Sequence, residues 1–295
     1  MTDQQLFTQV GVRPLSPAPV GKRQRDKRFP LLSVILLVII TLCCLFAELL
    51  MTKDPSYLDL YNCNAAPNGE FYFGTDALGR DIVSAIWYGG RISITIGFLA
   101  TLISTSLGIL YGTVSGVAPG WLDGLMTRFT EIFLSIPSLL LVIFLQAILG
   151  QASVWSLSVV IGLTNWPGIS KVVRTEVQQL RASDYVVASK CMGGGFWHIL
   201  RTHLAPNFIA SIMFMVVMNV MGAIAAESTL SFMGLGLPLE IVSWGSMLSL
   251  AEKALLTESW WVIAIPGIFL VTLLMCITNI GNYLRQSVSR KDSKL

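Results

Sequence analysis

The chain has 295 residues, of which 54% are hydrophobic and only 13% charged, about half the roughly 25% charge of a soluble domain. Its 17 acids and 20 bases cannot cover a water-facing surface of that size, which excludes a secreted domain, a disordered chain and a nucleic-acid binder. The expected class is an all-α integral membrane protein, and the net charge of +3 acquires meaning only from where the bases lie.

Taken in chain order, residues 1–28 form a polar and basic tail, too long before the first apolar run for a cleavable signal peptide. Lys22, Arg23, Arg25, Lys27 and Arg28 abut that run, where they anchor topology and can meet anionic membrane lipid. A helix crossing about 30 Å of hydrocarbon needs about 20 apolar residues, and 29–51 supplies the first span. Residues 52–91 follow as an extracytoplasmic loop. Within it, Thr75 or Asp76 is expected to cap an amphipathic helix on the outer surface, with Leu78, Ile82 and Ala85 on one face and Trp87 and Tyr88 at the interface.

The charge-free stretch 92–122 holds the second span, along which Ala100, Ser104, Gly108, Gly112 and Gly116 recur every four residues. Such a stripe admits a second helix closely, since in lipid packing must hold a bundle. Residues 132–170 run for 39 positions without charge. That is too long for one helix, so Gly150-Gln151 is the expected turn between a third and a fourth span. Residues 207–226 give the fifth span and 259–284 the sixth, with the glycine-rich stretch 228–239 interfacial or re-entrant between them. Pro137, Pro167 and Pro266 should kink their helices.

The bases orient these six spans. Sixteen of the twenty fall on one side: six in the tail, Arg128, five within 171–201 and four after 284. Lys53, Arg80, Arg91 and Lys253 remain on the other. By the positive-inside rule both termini are cytoplasmic.

Chemistry inside the membrane looks sparse. Glu48, Glu131 and Glu227 lie near span ends, where a carboxylate can reach the interface, and none is expected to find a basic partner within one helical turn. No HExxH or GxSxG occurs, and His198 and His203 lie outside the spans. No GxxxxGK[ST] occurs either, so the chain carries no P-loop. The cysteines at 43, 44, 63, 191 and 276 have no metal spacing and read as small apolar fillers.

The loop 171–206 is patterned too regularly for a tether. Val172, Val173, Val177 and Leu180 continue the fourth helix into water. Ser183 or Asp184 then caps a short helix over 185–192, glycines 193–195 stop it, and a second helix runs from 196 to about 204 before Pro206. A helix with the small pair Ala188–Ser189, a glycine turn and another helix make a docking hairpin.

The run SDYVVASKCMGGGFWHILRTHLAPN resembles the EAA loop of bacterial ABC importer permeases. Asp184 stands near its acidic start, Ala188 and Ser189 at the small pair, Gly193 at the glycine and Pro206 at the proline. FGTDALGRD, GGRISI, ESTLSFMGLGL, SWGSML and WWVIAIPG are similar to signatures of the dipeptide, oligopeptide and nickel branch, C-type subunit, across residues 29–285. The C-terminal motif of that branch has two acids where Asn282 and Gln286 stand.

The resemblance implies a MetI-like permease fold, with five spans and the coupling loop within 92–284 and a cytoplasmic tail at 285–295. It implies contact with the ATPase through Asp184, Tyr185, Ala188, Ser189, Gly193, His203 and Pro206. It also implies a sister permease subunit, two ATP-binding subunits and an extracytoplasmic substrate-binding protein, in a bacterial inner membrane. No cofactor or metal is expected in this chain, ATP and Mg belonging to the ATPase subunits, and no catalytic residue. The expected cargo is a di- or oligopeptide. A nickel or metal-chelate importer is the alternative within the family, and an ion-coupled carrier the alternative outside it.

Overall fold

The computed structural model describes residues 29–292; the basic tail and its expected lipid contact lie outside the described residues. Among the described residues there is no strand, only an isolated bridge between Thr75 and Asp81. The chain begins with α1 (Leu31–Leu45) and α2 (Ala47–Leu50), then a loop to residue 81. Next come α3 (Ile82–Val117), α4 (Gly120–Ser135), α5 (Ser138–Leu149) and α6 (Val154–Leu180). The short α7 (Asp184–Cys191) and α8 (Phe196–Ile199) lead through a π-helical turn, Leu200–Leu204, into α9 (Ala205–Phe232). Two short helices, α10 (Trp244–Leu248) and α11 (Ala251–Leu256), precede α12 (Trp261–Asp292).

The outer-surface helix expected before the second span does not form. Asp81, not Thr75 or Asp76, caps α3 by accepting the Ser84 N–H at 3.0 Å, and one 36-residue helix runs from Ile82 to Val117. Ile82, Ala85 and Ile86 are buried against Trp244 and α12 rather than laid on a membrane surface. Thr75 and Asp76 instead order the preceding loop. Asp76 accepts the backbone N–H groups of Leu78 and Arg80, and Thr75 receives the Ala65 N–H on its hydroxyl. Gly79, at φ +76°, sits where any Cβ would fall 1.9 Å from the Asp59 carbonyl oxygen, so only glycine closes this lobe.

By length and composition three helices can cross a bilayer: Ile82–Val117, Ser211–Phe232 and Trp261–Ser287. A fourth crossing is possible if α4 and α5, bent by 91° at their junction, act as one broken span. That bend has a local cause. Ile136 precedes a proline, which disfavours helical geometry, and it is extended at φ −86°, ψ 129°. The expected six-span count is therefore not met by apolar length alone. Helix α1 has 15 residues, about 22 Å at 1.5 Å each. Helix α6 is long enough, but its buried Ser158, Thr164 and Ser170 dilute its hydropathy, because a neighbouring helix rather than lipid covers them.

That neighbour is α3, through the small-residue stripe. A Cβ on Gly108 would come within 2.8 Å of Ile169, one on Gly112 within 2.5 Å of the Ser170 carbonyl, and one on Gly116 within 2.7 Å of Val177. Gly162 of α6 reciprocates against Ile103. Ala100 and Ser104 complete the buried stripe, which is the role their spacing suggests. The expected turn between 132 and 170 is also present: Gly150 takes φ +83° after α5, and a Ser153–Ser156 capping box opens α6.

Candidate functional site: the helical hairpin and its root

The loop 171–206 is a helical hairpin set on a platform. Helix α6 runs on to Leu180, and Val173 and Val177 are fully buried. They join Ile169, Val186, Ile199, Leu204, Phe208 and Ile212 in one apolar cluster, which fixes α7 and α8 on the ends of α6 and α9. Helix α7 begins at Asp184, and the Val186 and Val187 N–H groups close on the Ser183 carbonyl. The Ser183 hydroxyl donates back to the Leu180 carbonyl at 2.5 Å, so Asp184 supplies the first-turn acid that suits a helix N-terminus.

The small pair is divided by the helix. Ala188 is exposed with Tyr185, Val187 and Met192, whereas Ser189 is 5% exposed and underpins the turn. Gly193 adopts φ +83° and the Gly194 N–H bonds the Ser189 carbonyl at 2.9 Å, a Schellman closure. Nothing lies within 4 Å of a Cβ built on Gly193, while one on Gly194 would meet the Ser189 carbonyl oxygen and hydroxyl at 2.8 Å. The glycine that must turn and the glycine that must be small are thus adjacent residues, and only the first is legible from the sequence.

The second helix of the hairpin differs from expectation. It has a single α turn, Phe196–Ile199, then the π turn Leu200–Leu204, and joins α9 without a break. Pro206 falls in the first turn of α9 instead of ending a helix. The side chains of His203 and Pro206 lie outside the described ones.

At the root of the hairpin is a polar cluster that the spacing rules do not reveal. The Asp123 carboxylate of α4 accepts Arg174 Nε at 2.5 Å and Nη2 at 2.6 Å, Ser115 Oγ at 2.7 Å and Gln178 Nε2 at 3.0 Å. Arg181 Nη1 donates to the Gly116 carbonyl at 3.1 Å. One carboxylate thereby gathers α3, α4 and α6. Its signal in the sequence is an acid directly after a long charge-free run and a base on the apolar side of α6.

The three span-end glutamates also have distinct fates. Glu131 pairs with Arg128 one helical turn earlier at 3.2 Å, against the expectation of no basic partner within a turn and at a legible i,i+3 spacing; Glu48 has none within a turn and pairs instead with Arg91, 43 residues away, at 3.1 Å. Glu227 does not reach an interface. It is fully buried and accepts hydrogen bonds from the hydroxyls of Ser243 (2.8 Å), Ser93 and Ser231 (both 3.0 Å) and Ser228 (3.3 Å). These bonds tie the glycine-rich segment 233–243 to α3 and α9. That segment borders a cavity of about 750 Å³ also lined by Gln151, Ala152, Glu240 and Ser249. In the lobe before α3, burial pushes the Asp76 carboxyl above the usual carboxylate range despite its two backbone donors.

Residues 108–290 match the family described as binding-protein-dependent transport system inner membrane component. The oligopeptide transport system permease protein OppC of Bacillus subtilis is 34% identical over 269 residues, 91% of this chain and 88% of that one. The dipeptide transport system permease protein DppC of the same organism is 32% identical over 270 residues, 92% of this chain and 84% of that one. OppC of Haemophilus influenzae is 37% identical over 231 residues, 78% of this chain and 74% of that one. Among solved structures, an inward-facing MetNI methionine ABC transporter chain aligns with a TM-score of 0.53 at 17% identity. It covers 69% of this chain and 96% of that one, a likeness of fold.

Proposed function

The chain belongs to the family of binding-protein-dependent transport inner membrane components, and from that premise we propose that it is the C-type permease subunit of an ATP-driven importer of di- or oligopeptides. The observation that carries the coupling part is the hairpin. Its exposed face (Asp184, Tyr185, Val187, Ala188, Met192) is held on α6 and α9 by buried Val186, Ile199 and Leu204. A rigid mount with an uncovered face can pass on a push; a solvated loop cannot. In this reading that face docks on an ATPase subunit, and Gly193 and the turn through Ser189 keep its shape. His203 and Pro206 belong to the same element.

The reading places six crossings in a bacterial inner membrane with both ends cytoplasmic, α1, the bent α4–α5 pair and α6 being shielded by packing or by partners. The partners are a sister permease, two ATP-binding subunits that hold ATP and Mg, and an extracytoplasmic binding protein. The chain itself supplies no catalytic group, and ATP-driven movement of the hairpin switches the pathway between its two openings. Peptide is favoured over nickel because neither histidine lies within a span, leaving no imidazole ligand on the path. Family membership leaves the ion-coupled carrier without support.

The test is uptake of labelled di- and tripeptides by cells carrying the whole system. Uptake should survive collapse of the ion gradients and stop when ATP is depleted. Uptake that follows the gradients, or that takes nickel and no peptide, would refute the proposal.

A further inference from the structure

Helix α4 is attached to the rest of the chain in two ways of different character. Along its length the contact is mainly apolar, with Phe129 against Tyr111 of α3 and Trp166 of α6, and Phe133 against Trp166, around an apolar cavity of about 610 Å³; a single hydrogen bond, from the Tyr111 hydroxyl to the Met126 carbonyl at 3.0 Å, crosses there. Thr130 is its buried residue, while Trp121, Leu125, Phe129 and Ile132 are at least half exposed. The apolar contacts among these are non-directional and can slide, and the one hydrogen bond is a single neutral contact rather than a fork. At its first turn the attachment is directional: both oxygens of Asp123 meet the Arg174 fork, with Gln178 and Ser115 filling the remaining acceptor sites.

Arg174 and Gln178 stand on the stretch of α6 that ends, at Leu180, four residues before the docking helix α7. The same stretch is locked to α3 by the stripe at Gly112 and Gly116 and by the Arg181 bond to the Gly116 carbonyl. Movement of α7 therefore turns α3 and α6 as one body, and Asp123 is where that body grips α4. Helix α4 continues through the 91° bend into α5, whose far end at Gly150 meets Gln151 and Ala152 beside the 750 Å³ cavity.

We propose that the Asp123–Arg174 clamp is a positioning pair that transmits movement of the hairpin to the bent α4–α5 helices, and so sets how much substrate crosses per ATP hydrolysed. This rests on the reading of the hairpin as the ATPase-docking element. The guanidinium fork matters as much as its charge, because two parallel bonds fix direction where a single ammonium contact would swivel.

The experiment uses the complete transporter, with sister permease, ATPase subunits and binding protein, in proteoliposomes, with peptide uptake and ATP hydrolysis measured on the same sample. Asp123→Asn and Arg174→Gln should leave the complex assembled and binding-protein-stimulated hydrolysis within about twofold of wild type. Peptide imported per ATP should fall about tenfold, the scale of a typical inter-site coupling. Arg174→Lys, which keeps charge and loses the fork, should fall between them and wild type. The reciprocal exchange Asp123→Arg with Arg174→Asp should recover most of the ratio. An unchanged ratio in the single variants would overturn the proposal, and so would uptake and hydrolysis declining in proportion, which marks a purely structural clamp. Wild-type uptake that proceeds without ATP would instead remove the docking reading beneath it.

Discussion

Ser243 donates its hydroxyl hydrogen to Glu227 over 2.8 Å, joining the end of the glycine-rich segment to the buried heart of α9. The serine's own acceptor site is taken by the Ser246 N–H at 3.0 Å. Ser231 is likewise occupied by the Leu237 N–H at 3.1 Å, and Ser93 by the Trp244 N–H at 3.3 Å. Each hydroxyl thus accepts from backbone and has its hydrogen left for the carboxylate. Glu227 is the common acceptor on which three chain segments depend.

Glu227→Ala removes that acceptor and strands buried hydroxyls, each at about 1–3 kcal/mol. The expected result is a loss of folded protein, read as a Tm well below wild type in detergent. Ser243→Ala removes one donor and should cost about 1 kcal/mol. Equal melting of Glu227→Ala and wild type would show that the hub does not hold the segment.

The α3–α6 seam gives a comparison in which the chemical change is constant and only the surroundings differ. Gly112→Ala would place a methyl 2.5 Å from the Ser170 carbonyl and 2.8 Å from Val173 Cβ. Backbone cannot yield there, so the helices must part, at about 1–3 kcal/mol. Gly124→Ala, in α4, meets nothing within 4 Å and should stabilise by about 0.5–1 kcal/mol from helix propensity. Thermal unfolding of the two variants side by side measures the difference. Equal and opposite shifts are not needed, but a Gly112→Ala variant as stable as wild type would contradict the close packing.

What the sequence discloses follows from how local its cause is. The stripe from Ala100 to Gly116 is a periodicity on one helix, and Gly193 is a glycine directly after a short helix; both are legible, and both stand where their patterns point. In the lobe 52–81 the local pattern is misleading, because Thr75 and Asp76 look like caps when only their neighbours are considered. Their partners include the Ala65 amide and, through Arg80, the Leu239 carbonyl 159 residues away. The Asp123–Arg174 clamp spans 51 residues, and no spacing rule links an acid after one span to a base after another. The bend at Pro137 was legible as a kink but not in size, since its angle depends on what α4 and α5 each pack against.

Topology is testable with the cysteines the chain already has. Cys63 and Cys191 are exposed, at opposite ends of the expected crossings, whereas Cys44 and Cys276 are buried. A membrane-impermeant maleimide should label Cys63 in spheroplasts of intact cells and Cys191 only after permeabilisation, with Cys44 and Cys276 protected under both conditions. Labelling of Cys191 without permeabilisation would invert the orientation derived from the sixteen-to-four distribution of bases.

The hairpin offers the sharpest separation of folding from docking. At Gly193 a left-handed backbone costs a residue with a Cβ about 1 kcal/mol, but the site is open, so Gly193→Ala should fold and transport at a reduced level. Gly193→Asp adds a charged group beside the exposed face of α7, and Ala188→Glu puts one on it. Both should insert at normal abundance, lose peptide transport and fail to retain the ATPase subunits on purification. Gly194→Ala must displace the Ser189 carbonyl from 2.8 Å, opening the Schellman turn itself, and should lower both ATPase retention and thermal stability. Lys171→Gln, exposed near the start of the loop, should be close to silent. Normal transport with normal ATPase retention in both the Gly193→Asp and Ala188→Glu variants would show that the face they alter is not the docking surface, since a Cβ on Gly193 meets nothing within 4 Å and Ala188 is exposed.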